Sequence, residues 1–163
     1  MWLGCIPQRC LGVALAPLFF LAFAGSSYAQ TPAPDASPQE RTALAAGFAA
    51  EKLGRWQKRL NLEDWKIGVM IVRASDLKPK TLGNIHWDTE KKTATIRVLD
   101  PADYQMAWTD MLRDMEFTVV HELIHLELSP VLSTISRNDA SRREEEHAVN
   151  HMADALLKLD RGQ

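Results

Sequence analysis

The pentapeptide His121-Glu122-Leu123-Ile124-His125 constrains this chain more than any other feature, because it places three polar, metal-competent side chains inside the apolar run from Glu116 to Leu128. Residues four apart on an α-helix lie one above the other, so the spacing lets both imidazoles reach one ion while Glu122 projects from the neighbouring edge of the same face. Phe117, Val119, Val120, Leu123, Ile124, Leu126 and Leu128 make the segment apolar nearly all round, which predicts a helix at the centre of the core. Two imidazoles and a carboxylate are costly to bury without partners, and a metal ion provides them. The pattern points to zinc chemistry: two neutral His nitrogens as ligands, and Glu122 as the base for a water in the open coordination position.

A third protein ligand is expected downstream. Val149, Met152, Ala153, Leu156 and Leu157 recur at helical spacing, predicting a second helix from about Ser141 to Leu159 with one apolar stripe. Glu145 and Glu146 border that stripe one turn before Val149, whereas Glu144 points further toward solvent. Either of the first two can close the site. An acidic first turn also suits the helix dipole, and that alone accounts for Glu144.

Residues 1–29 read as a secretory signal. Arg9 precedes an uncharged stretch from Cys10 to Ala24, and Ser27-Tyr28-Ala29 offers small residues for cleavage before Gln30. The competing reading is an uncleaved membrane anchor, but the strongly apolar core falls short of the ~20 residues needed to span a bilayer. A secreted or periplasmic location is therefore expected, with no membrane attachment after cleavage. Both cysteines, Cys5 and Cys10, fall within this segment, so the mature chain is expected to hold neither a disulfide nor a thiolate nucleophile. Arg9 is its only charged residue, which leaves 18 of the 19 Lys and Arg beside 21 Asp and Glu in the mature chain. So balanced a charge gives no reason to expect a nucleic-acid partner.

Residues 30–40 are expected to be a disordered linker, since Thr31 to Glu40 holds three of the eight prolines with Ala, Ser and Gln. Residues 41–163 then suffice for one domain with one core. Leu44, Phe48, Leu53, Trp56 and Leu60 predict an amphipathic helix ending near Asn61, and Trp65 to Val72 predicts a first strand. Gly83 to Asp88 and Thr93 to Leu99 bracket a charged turn at Thr89 to Lys92 and read as a hairpin. Asp100-Pro101-Ala102-Asp103 breaks the pattern, and the helix bearing the motif is expected from about Asp110. Helix, sheet, motif helix and ligand helix make an α+β domain in which a small sheet backs the site.

The stretch Glu146-His147-Ala148-Val149-Asn150-His151-Met152-Ala153-Asp154-Ala155-Leu156-Leu157 is similar to the E-x-x-A-N-x-F-A-x-x-L-L segment of ImmA/IrrE-type metallopeptidases. It also resembles the E-x-x-x-D pattern of the thermolysin group, with Asn150 in place of the Asp. Together with the HExxH motif this is a resemblance to the gluzincins, in which a Glu on a later helix completes the zinc site. The resemblance implies a small zincin-like fold of the minigluzincin type, with His121, His125 and Glu146 as zinc ligands and Glu122 as the catalytic base. Counting from the second His, the thermolysin spacing falls on Glu145 instead, so that residue stays open. Asn150 would orient His121 from outside the ligand shell. An exposed strand beside the cleft would pair with an extended substrate backbone, and Thr93 to Leu99 is the candidate. No glycine-marked His follows His125, which disfavours the metzincin type.

The expected activity is zinc-dependent hydrolysis of peptide bonds in a peptide or protein substrate. Two rivals stand beside it: a secreted metal-binding module without catalysis, and a zinc amidase acting on cell-wall peptides. His147 and His151 are also four apart, but a solvent-facing helix explains them more simply. One of them, or Tyr104, could instead donate to a developing oxyanion. His86, on a strand, is expected to be an ordinary core or surface His, and Trp56, Trp65, Trp87 and Trp108 are expected to pack in the core and at its rim.

Overall fold

The structure is a computed structural model that describes residues 35–163. The signal segment expected over residues 1–29 lies outside the described residues. The chain begins with helix α1 (Pro38–Arg59), followed by strands β1 (Lys66–Val72), β2 (Gly83–Asp88) and β3 (Thr93–Leu99), then helices α2 (Trp108–Leu132) and α3 (Asp139–Asp160). Single 3₁₀ turns at Ala74–Asp76 and Pro101–Asp103 punctuate the connections. The α+β class is as the sequence implies.

α1 starts earlier than composition suggests, because Ser37 and Glu40 form a reciprocal capping box and Pro38 sits in the first turn, where its missing N–H is no loss. The last three residues expected of the linker are therefore helical. Ala45, Ala49, Leu53 and Trp56 form its buried stripe, and the small alanines let α1 lie close to the rest of the core. α3 begins at Asp139 behind a second capping box, Asn138 with Ser141, and buries Val149, Ala153 and Leu157.

The three strands form a mixed sheet in the order β1-β3-β2. β1 runs parallel to β3, with Val69 opposite Ile96, and β2 pairs antiparallel to it, with Ile85 opposite Ile96. The expected hairpin is thus present, but β3 is the central strand. This corrects the expectation that Thr93 to Leu99 is an exposed edge. Alternation places Ala94, Ile96 and Val98 on the buried face, yet alternation is blind to which neighbours a strand acquires. Among the described residues, the free edges belong to β1 and β2.

α2 is the hub. Met111, Met115, Val119, Val120, Leu123 and Leu126 are buried in the common core, and α2 packs against α1, α3, β2 and β3. Glu116 fastens the helices together: it accepts from Trp56 Nε1 on α1 at 3.0 Å and from Arg161 Nη2 just beyond α3 at 3.3 Å. β2 lies almost in contact with α2 at Gly83, where a Cβ would collide with Thr118 Cγ2 and meet Arg97 O at 2.7 Å. Only glycine allows that approach, and the approach draws the free edge of β2 over the motif helix. Among the described residues, no helix is long and apolar enough to cross a membrane.

Candidate metal centre

One stripe of α2, comprising Asp114, Phe117, Thr118, His121, Glu122 and His125, forms a wall of a cleft of about 590 Å³. The opposite rim is β2 and the loop before it, and α3 contributes Glu145, Glu146 and Asn150. The spacing within the stripe follows from the 3.6-residue turn.

At the centre of the cleft the two imidazoles face each other, Nε2 to Nε2, at 3.0 Å. Glu146 stands over both, with Oε2 at 3.3 Å from His121 Nε2 and Oε1 at 3.4 Å from His125 Nε2. Donor atoms of His121, His125 and Glu146 all lie within 4.8 Å of one another. Each imidazole is held from its other side. Asn150 Oδ1 is 3.1 Å from His121 Nδ1, and Glu145 Oε1 is 2.9 Å from His125 Nδ1. Those two oxygens accept, so both protons belong on Nδ1 and both Nε2 atoms present lone pairs to the same small space. Two lone pairs 3.0 Å apart repel unless a proton or a metal ion sits between them. Two Zn–N bonds at a tetrahedral angle would set the nitrogens about 3.3 Å apart, close to what the ring positions provide.

The two candidate carboxylates now separate by position. Glu145 has a side chain only 7% exposed and pairs with Arg137 as well as His125, whereas Glu146 is 57% exposed and opens toward the cleft. Glu145 is thus the carboxylate that orients His125, and Glu146 is the one free to reach an ion. Asn150 takes the corresponding place on His121. Nothing in the sequence marked Arg137 beforehand, since it lies in the connection between α2 and α3.

Electrostatics set Glu122 apart. Burial, helped by the nearby Glu146 charge, pushes its carboxyl up to about 7, near where a group can both take and give a proton at neutral pH. His121 moves the other way: burial and the adjacent His125 lower its pKa, which favours the neutral, metal-competent imidazole. Glu122 lines the cleft but is not among the three converging donors.

The remaining expectations sort by location. Tyr104 and the pair His147 and His151 do not line the cleft, so none is placed to meet an oxyanion there. The two imidazoles are exposed with ring centroids 4.2 Å apart. Trp56 and Trp108 are buried, while Trp87 and His86 are exposed and line the cleft on β2. Asp114 was not singled out by sequence, although its position seven residues before His121 puts it on the same helix stripe. Comparison with protein-family profiles, curated proteins and solved structures finds no match for this chain.

Proposed function

We propose that the protein is a zinc-dependent metallopeptidase with a small zincin-like fold of gluzincin type. The observation that carries this reading is the pair of Nε2 atoms held lone pair to lone pair beneath the Glu146 carboxylate, a donor set suited to Zn²⁺. His121, His125 and Glu146 would hold the ion; Asn150 and Glu145 keep the two imidazoles in the required tautomer. A bound zinc supplies Lewis acidity toward the scissile carbonyl and lowers the pKa of water.

The other steps belong to the chain. Glu122, buried beside the donors but outside them, takes a proton from the attacking water on its carboxylate and returns it to the nitrogen of the leaving amine. An extended substrate would add to the free edge of β2, where main-chain hydrogen bonds align the scissile bond along the cleft. β2 thus takes the role expected of β3. A structural zinc site would close its fourth position with another ligand and has no use for a base there, so Glu122 argues for catalysis.

The test uses the zinc-loaded protein and a diverse peptide library, with Glu122→Gln alongside. Cleavage by the wild type that drops in the variant while zinc content is kept supports the reading. A variant that cleaves as fast as the wild type contradicts it.

A further inference from the structure

Asp114 is the one charged residue of the cleft-facing stripe of α2 that the proposed chemistry leaves unused. It is half-buried, two helical turns before His121, and among the described residues no Lys, Arg or His forms an ion pair with it. Its Oδ2 is closed off from solvent and has the Tyr104 hydroxyl as its only polar neighbour, outside normal hydrogen-bond geometry. The Tyr104 hydroxyl, which is not part of the cleft lining, is likewise buried without a partner of normal geometry. Burial raises the Asp114 carboxyl above its ordinary value, and the neighbouring Tyr104 hydroxyl only partly opposes this. A half-buried carboxylate without a cation is unfavourable, and a cationic ligand group in the cleft, meeting the part of the carboxyl that lines it, relieves this.

Lys78 and Lys80 also line the cleft, from the loop before β2, but both are exposed and solvated. Desolvation makes Asp114 the stronger determinant, because a charge interaction gains more at the half-buried wall than at the open rim. Seven residues of helix place Asp114 about 10 Å along the stripe from His121. That is about three residues of extended chain, and a long basic side chain can bridge the distance from nearer the reacting bond.

We propose that Asp114 is a specificity-determining residue, and that the cleft selects peptides carrying a Lys or Arg within about three residues of the scissile bond. This rests on the metallopeptidase reading for the meaning of the subsite, but not for the recognition itself.

Two arms keep the two claims separate. The first measures kcat/KM of the zinc-loaded wild type on matched peptides with Lys, norleucine or Glu at each of the three positions on either side of the cleaved bond. At one or more of these positions Lys is expected to exceed norleucine by roughly 10-fold, mainly through KM, with Glu the poorest. Asp114→Asn, which keeps the side chain's shape, should bring the Lys to norleucine ratio to about 1. The second arm measures binding of fluorescent Lys-containing and Glu-containing hexapeptides to zinc-loaded Glu122→Gln, with and without Asp114→Asn. It decides the proposal even if the wild type cleaves nothing, an outcome that would sink the peptidase reading alone. Equal turnover of Lys and norleucine peptides by the wild type, equal binding of the Lys and Glu hexapeptides by Glu122→Gln, a preference for Glu, or a Lys preference untouched by Asp114→Asn would each overturn the Asp114 assignment.

Discussion

Removing the charge of Glu122 should stabilise the metal-free protein at alkaline pH and do nothing at acid pH. The carboxyl is 8% exposed and lifted from 4.5 to about 7 in the folded chain, chiefly by burial. Below the unfolded value both states are protonated and the group has no pH-linked effect. As pH rises from 4.5 through 7, the unfolded chain ionises first, so folding stability falls; above 7 the full penalty persists. At 1.36 kcal/mol per unit, that penalty is about 3 kcal/mol at most. Glu122→Gln removes the ionisation and therefore the penalty, while changes at His121 are common to both proteins and largely cancel in the difference. The assay is urea unfolding of chelator-treated wild type and variant between pH 4 and pH 8.5. The variant should match the wild type near pH 4 and exceed it by a growing margin up to about 3 kcal/mol by pH 8. Added zinc should shrink the margin, because a nearby cation favours the ionised carboxylate. A stability difference that is flat with pH, or that favours the wild type at pH 8, would refute the burial argument.

Other outcomes follow from the same geometry. Glu146→Ala should lose bound zinc, Glu145→Ala should weaken binding by roughly 10- to 100-fold through loss of the His125 partner, and Glu144→Ala should leave it unchanged; competition with a chromophoric chelator reads all three. If Glu145→Ala alone released the metal, the roles of the two carboxylates would be exchanged. Gly83→Ala should lower stability by about 1–3 kcal/mol, measured by urea unfolding, since its Cβ would press on Thr118 Cγ2 and on the fixed carbonyl of Arg97. Thr118→Ala should recover only part of that loss, because the backbone clash remains.

What could be read from the sequence was what local periodicity encodes. The HExxH helix and the Val149, Ala153, Leu157 stripe of α3 are both set by the 3.6-residue repeat, so residues near in sequence report their own face. Periodicity could not choose between Glu145 and Glu146, since neighbours on a helix differ by about 100° and both border the apolar stripe. The structure uses both, on opposite nitrogens of His125. Strand order was also hidden. Ala94, Ile96 and Val98 show which face of β3 is buried, but pairing with β1 requires residues far apart in sequence to meet. The start of α1 is encoded locally, since Ser37-Pro38-Gln39-Glu40 is a capping box, but it sits inside a proline-rich stretch whose composition masks it.

Hydrolysis by Glu122→Gln beside wild type, each loaded with one equivalent of zinc and given the same peptide library, tests the central claim most directly. The account predicts that the variant keeps its zinc and loses roughly 10²-fold or more in rate, with wild-type activity abolished by a chelator and restored by Zn²⁺. A zinc-loaded wild type that cleaves nothing, or a variant that cleaves at the wild-type rate, would contradict it.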